Sequence, residues 1–214
     1  MIPGIRSFLT FLFLMVSINA WALDEYWAIL QFKKQMSSDH FLLLEYVERD
    51  KTNFFENKNL GLTRLSFGGT VGSFKYLIGG AYVDFTSSAD ERRLHQFLIS
   101  SYSLESLFTF PLRIGLEERS FIGDEKIYLR GRLRVQANFL PQYKIGLVAY
   151  NEAFYIPNGY NKFVTGLNEN RFGFGIRYIT NEVEVYLYKT QADIKNISQS
   201  RHLQWIQLQT LINF

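Results

Sequence analysis

The chain has 214 residues, 47% of them hydrophobic and 20% charged, a balance too apolar for a disordered chain and too polar for a bundle of membrane-crossing helices. A formal net charge of +3 gives no case for nucleic acid, and the lack of cysteine excludes a disulfide framework, a thiolate metal site and a Cys nucleophile. Aromatic residues reach 17%, led by Phe and Tyr, which suits strands and membrane interfaces better than a soluble helical protein.

Taken from the N-terminus, Arg6, the apolar run from Phe8 to Ile18 and the sequence Ala20-Trp21-Ala22 read as an export signal with a cleavage site after Ala22. The run is shorter than the roughly 20 residues of a membrane-crossing helix. Residues 1–22 are therefore predicted to be a signal peptide and residues 23–214 a single domain, since no linker composition divides the rest. Past Ala22 no stretch is apolar for long enough to cross a bilayer as a helix, so any crossing falls to strands.

The remainder scans as strands of about ten to fourteen residues with period-two alternation. Tyr26 to Met36 reads as the first, and about ten more follow from Phe41. In Leu112 to Arg119, the residues Leu112, Ile114 and Leu116 oppose Arg113, Glu117 and Arg119. Ile127 to Ala137 is the cleanest case, with Ile127, Leu129, Leu133 and Val135 on one face and Arg130, Arg132 and Arg134 in a row on the other. Ile145, Leu147 and Ala149 oppose Tyr150, Glu152 and Phe154. Phe172, Phe174 and Ile176 oppose Glu169, Arg171 and Arg177, and Val183, Val185 and Leu187 oppose Glu184 and Tyr186. The last strand alternates Ile206, Leu208, Thr210, Ile212 and Phe214.

Alternation alone also fits a soluble sandwich, whose charged face looks outward. Strand length favours a barrel instead: a tilted spanning strand needs about 9–11 residues, against about five or six in soluble sheets. The predicted fold class is all-β, a single antiparallel transmembrane β-barrel of about 10–12 strands, with an even count expected of a bacterial barrel. Tyr26 to Met36 then makes an awkward eleventh strand: it lies outside the up-and-down order, or another strand goes unseen. Short connections at 69–73, 104–108, 139–142 and 180–181 share the Phe214 side, expected to be periplasmic, while the longer segments 49–59, 157–167 and 192–200 fall on the other. Trp27, Tyr143, Tyr155, Tyr178 and Trp205, near strand ends, are expected to form an interfacial girdle.

The chain resembles the bacterial outer-membrane family catalogued as domain of unknown function 2490. The resemblance is carried, in order, by Trp27, Arg93-Leu94-His95-Gln96, Leu116-Glu117-Glu118-Arg119, the ladder Arg130, Arg132 and Arg134 before Pro141, Asn151-Glu152-Ala153-Phe154, Asn168-Glu169-Asn170-Arg171, Val185-Tyr186-Leu187 and Arg201-His202. It departs from the pattern at Phe97, where a second Gln is expected, and at Glu118. The resemblance implies an outer-membrane barrel of a Gram-negative-type bacterium and no particular reaction.

The expected interior collects Arg113, Arg119, Arg130, Arg132, Arg134, Arg171 and Arg177 against Glu117, Glu152, Glu169 and Glu184. Such a network either fills a narrow lumen with ion pairs that fix strand register or marks a narrow, anion-preferring pore. Two other readings stay open, a lipid-modifying membrane enzyme and a soluble periplasmic ligand-binding barrel. Of the three histidines, His95 lies near Ser100 and Ser101, and His202 near Ser198 and Ser200, but no nucleophile motif or carboxylate orienter accompanies either. No catalytic residue, metal ligand or cofactor is assigned. The expected partners are outer-membrane lipids and a barrel-assembly machinery that recognises the strand ending in Phe214, with no nucleic acid; the oligomeric state is unassigned.

Overall fold

The computed structural model describes residues 23–51, 58–86, 88–157, 165–195 and 200–214. The predicted signal peptide and its cleavage site lie outside them, as do parts of the long connections. The described chain forms eleven strands: β1 (Glu25–Gln35), β2 (His40–Asp50), β3 (Lys58–Val71), β4 (Phe74–Phe85), β5 (Glu91–Leu104), β6 (Phe108–Phe121), β7 (Ile127–Phe139), β8 (Ile145–Ile156), β9 (Gly166–Ile179), β10 (Val183–Lys195) and β11 (Ser200–Asn213). They close into one barrel in chain order, with β1 beside β11. At 11–14 residues each, the strands match or exceed the spanning length inferred from the alternation.

The even count is corrected. Tyr26 to Met36 is a regular member of the ring as β1, and the strand total is odd. An up-and-down ring with an odd number of strands makes its first and last members run the same way, so β1 and β11 pair in parallel while every other neighbouring pair is antiparallel. The seam runs from Glu25↔Trp205 to Lys33↔Asn213. It is reinforced at both ends: Asp24 N–H donates to Gln204 O at 2.9 Å, and Phe214 N–H to Lys33 O at 3.0 Å.

The period-two pattern sets the two faces of the wall. Leu65, Leu94, Ile114, Leu133, Leu147 and Phe174 stand exposed on the outside, while the intervening arginines and glutamates turn inward. Register shifts occur at Arg49/Asp50 and Phe154/Tyr155, both near the end of the barrel away from Phe214, so the alternation below them is not inverted. The girdle expectation is also corrected in part. Tyr143 and Tyr155 are exposed on the outside, but Trp27 and Trp205 point inward and stack at 4.7 Å across the seam.

Connections at the Phe214 end are short, spanning 36–39, 72–73, 105–107, 140–144 and 180–182; those at the other end run through 51–57, 86–90, 122–126, 157–165 and 196–199. Two of the tight turns hold non-glycine residues with left-handed backbone, Glu105 at φ 51° and Leu140 at φ 53°. Leu140 is held there from both sides: its N–H donates to Leu107 O at 2.8 Å, and Arg177 Nη2 donates to its carbonyl at 3.0 Å.

The parallel seam is open to a direct test because the chain has no cysteine. Ala28 and Leu208 are cross-strand partners in the seam. The double variant Ala28→Cys/Leu208→Cys is expected to form an intramolecular disulfide, seen as altered migration on a non-reducing gel, since paired Cα atoms lie within bridging range. The staggered pair Leu30→Cys/Leu208→Cys should bridge poorly; equal bridging in both, or in neither, contradicts this closure.

Candidate functional site

Following cross-strand partners around the wall places the interior side chains in rows. One row reads Ser66, Gly79, His95, Glu117, Arg130. The next reads Phe97, Gly115, Arg132, Phe154, Glu169, and the third Ile99, Arg113, Arg134, Glu152, Arg171, Ala192, Leu203. A fourth runs Gln136, Tyr150, Gly173, Thr190, Trp205. Two glycines are gaps that their neighbours fill: a Cβ on Gly115 would overlap the Phe97 ring, and one on Gly173 would overlap Tyr150. Over Gly173 the Tyr150 and Thr190 hydroxyls hydrogen-bond at 2.9 Å.

Ion pairs join these rows into a ladder. Arg130 and Arg132 share Glu117, the first by donation from both Nε and Nη2 to Oε2, the second by Nη1 donating to Oε1 at 3.1 Å. Arg132 Nε also donates to Glu152 Oε1 at 2.7 Å, where Arg113 Nη2 donates at the same distance. Arg171 lies 3.9 Å from the other Glu152 oxygen and donates from Nε to Glu169 at 2.5 Å. Glu117 and Glu152 are almost wholly buried. A buried carboxylate with one cation rarely recovers its desolvation; here each is shared by two or more guanidiniums, with both oxygens of Glu117 hydrogen-bonded.

Flat rings separate the charges. Phe154 lies under Arg130, Arg132 and Arg171 at 4.7, 5.1 and 4.5 Å from ring centroid to guanidinium, and Phe97 under Arg113 and Arg132 at 5.3 and 5.6 Å. Phe97, a departure from the family pattern in the sequence, is thus a plate between cations. Its place opposite Gly115 is what brings it there.

Every residue of the predicted network faces the interior, but not all join one ladder. Arg113, Glu117, Arg130, Arg132, Glu152, Glu169 and Arg171 form it. Arg119 belongs to a second cluster, donating to Glu91, which also accepts from Arg93 at 2.7 Å. Arg177 instead holds the Leu140 turn, and Glu184 accepts from the Tyr186 hydroxyl at 3.0 Å. Arg134 makes no ion pair among the described residues: it donates to Gln136 Oε1 at 2.8 Å and lies 3.9 Å from the centroid of Tyr150.

Alternation in the sequence did not single out Glu91 and Arg93, nor the pairs Glu25–Arg49 at 2.6 Å and Glu45–Arg64 at 2.9 Å on β1 to β3. In β2 charges stand on both faces, with Glu48 outward beside inward Glu45 and Arg49, so no clean polar face shows. In β5 the inward set Glu91, Arg93, His95 and Phe97 was the available signal.

The side chains that remain apart enclose a cavity of about 610 Å³ lined by Arg113, Arg132, Arg134 and Arg171 on one side and by Val47, Leu60 and Leu62 on another. A family model described as a protein of unknown function, DUF2490, matches residues 24–199. The chain belongs to the DUF2490 family. No curated protein matches it.

The histidines of this DUF2490 barrel are arranged differently from the sequence neighbourhoods. His95 is buried and meets Ser66, not Ser100 or Ser101, with Nε2 2.9 Å from the Ser66 oxygen. Among the described residues its Nδ1 has no hydrogen-bond partner, so the pair lacks there the carboxylate that orients a catalytic base. His202 pairs with Asp193 at 2.9 Å, exposed at the end of the barrel away from Phe214, and Ser198 lies outside the described residues.

Removing a shared acceptor should cost far more than removing a peripheral one. Glu152→Gln is expected to lower the unfolding free energy by about 3–5 kcal/mol, because it leaves buried guanidiniums uncompensated. Glu184→Gln should cost about 1 kcal/mol, the scale of one hydrogen bond. Chemical denaturation in detergent followed by tryptophan fluorescence measures both, and equal losses contradict the ladder.

Proposed function

We propose that this DUF2490 chain is an outer-membrane β-barrel, exported by a cleaved leader, whose arginine-lined lumen prefers anions. The observation that carries the reading is the inversion of the two faces: the outside bears large apolar side chains on strand after strand, while on β6 to β9 every charged strand residue but Glu118 faces inside. In water that outer surface far exceeds the few hundred Å² of contiguous apolar patch usual for a soluble monomer. In lipid the arrangement is the favourable one, since each Arg on the lipid face would cost about 2–4 kcal/mol near the midplane. A soluble ligand-binding barrel calls for the opposite sidedness.

The anion preference is supported by the excess of guanidinium over carboxylate. Eight arginines share six glutamates in the ion pairs of the described residues, and Arg134 and Glu184 line the cavity in addition, which leaves an excess of two guanidiniums among these groups. A ring of such charge in a low-dielectric wall raises the local concentration of counter-anions.

The test has two readings from one preparation. Expressed from the full precursor, the protein is expected in the outer-membrane fraction as a band that shifts on boiling; an unshifted periplasmic band sinks the membrane reading. Reconstituted in planar bilayers across a KCl gradient, it should give a reversal potential on the chloride side, reduced or reversed in Arg134→Glu, whereas cation selectivity or silent membranes sink the anion preference.

A further inference from the structure

We propose that the cavity binds a single-chain amphipathic anion, with its charged head at Arg134 and its aliphatic chain along the β1–β3 wall. This rests on the anion-preferring lumen and names what occupies it. Three features of the same cavity converge on that chemistry.

Its volume, about 610 Å³, lies in the range of roughly 300–1,000 Å³ that holds small organic ligands. Its walls are unlike one another. Ile29, Val47, Leu60 and Leu62, from β1 to β3, give it an apolar patch beside the ion-paired Glu45, Arg49 and Arg64 of the same strands, and belong to one packed cluster with Val83. Across the ring, β6 to β9 supply Arg113, Arg132, Arg134 and Arg171. A small inorganic anion would leave the apolar wall facing water, and a neutral hydrocarbon would strip water from the guanidiniums without replacing it. A molecule with an anionic end and an aliphatic end satisfies both walls.

Arg134 is the head-group contact because it alone of these four makes no ion pair among the described residues. Glu152 is its cross-strand partner in the wall, yet that carboxylate is taken by Arg113 and Arg132. Arg134 instead lies against Tyr150 at 3.9 Å, with Tyr188 at 6.0 Å, and spends one donor on Gln136. A guanidinium carries five N–H donors in a fixed fork that matches a carboxylate or phosphate two-pronged. The rings hold the plane of the group while its donors reach the ligand.

The hydrocarbon wall makes affinity depend on chain length, at about fourfold per buried methylene. Tryptophan fluorescence reports binding, since Trp27 and Trp205 line the same cavity. The refolded barrel in non-ionic detergent is titrated with acetate, octanoate, decanoate, octyl phosphate and octanol. Decanoate is expected to bind about sixteenfold more tightly than octanoate, acetate and octanol far more weakly, and Arg134→Gln to weaken decanoate at least tenfold while keeping the boiling-dependent band shift. Leu62→Ser should flatten the dependence on chain length. Tighter binding of octyl phosphate than octanoate assigns a phosphate head, and the reverse order a carboxylate; either supports the site.

Equal binding of acetate and decanoate overturns the amphiphile while leaving the anion preference intact. Equal binding of octanol and octanoate, or an Arg134→Gln barrel that binds decanoate as tightly as the parent, overturns the head-group assignment and with it the proposal. A chloride-selective conductance with no carboxylate binding separates failure of this site from failure of the lumen reading.

Discussion

Closing eleven strands into a ring leaves an interior filled with side chains, where a guanidinium loses much of its water and must be compensated by the wall itself. The sharing of Glu117 and Glu152 among arginines from β6, β7 and β9 is the solution, and the register of those strands depends on it. A slip of one residue in β7 would turn Arg130, Arg132 and Arg134 outward, strand Glu117 without the cations it shares and take Arg132 from Glu152. A slip of two would keep the faces but shift every arginine by a row, away from its acceptor. The alternation of apolar and charged residues selects the face; the shared carboxylates select the row.

The odd strand count brings the ring to a seam that no hairpin joins, and the interior stitches it. Trp27 and Trp205 stack across it, and Gln209 donates to Gln31 at 2.9 Å farther down. Arg171 lies 5.0 Å from the Trp27 ring and 5.7 Å from Trp205, so the end of the ionic ladder rests on the aromatic pair. Arg49 covers Trp27 from the other side at 4.5 Å while pairing with Glu25, itself the acceptor for the Trp27 indole N–H at 2.9 Å. Closure and charge compensation therefore meet in one cluster at the end of the barrel away from Phe214.

Much of this was legible in the sequence where one face of a strand is purely apolar. In β6 to β9 the inward set followed directly from alternation, and the barrel and its approximate strand number came with it. β1 and β2 were harder because charges stand on both faces, as Glu48 does opposite Arg49. Parity was misjudged because alternation gives each strand its faces but says nothing about whether the ends pair in parallel. The tryptophans illustrate the same limit: nearness to a strand end suggested the membrane interface, whereas the alternation of Ile206, Leu208 and Ile212 outward already required Trp205 to face in. Which carboxylate serves which arginine lay beyond the sequence altogether, since it depends on offsets between strands such as Gly115 beside Arg132.

The distribution of charge around the ring goes further than register requires. Locking strands together needs one carboxylate for each guanidinium, and on β2 and β3 that is what is found, with Arg64 paired to Glu45, Arg49 to Glu25 of β1, and Val47, Leu60 and Leu62 packed between. On β6 to β9 the ratio changes, three arginines converge on Glu152, and Arg134 in the same row is left to aromatic rings and an amide. Placing another glutamate there would have relieved the repulsion among Arg113, Arg134 and Arg171, whose positions lie in one cross-strand row. Keeping the site cationic, next to open volume and across from an apolar wall, is a cost to the fold that an anionic occupant would offset.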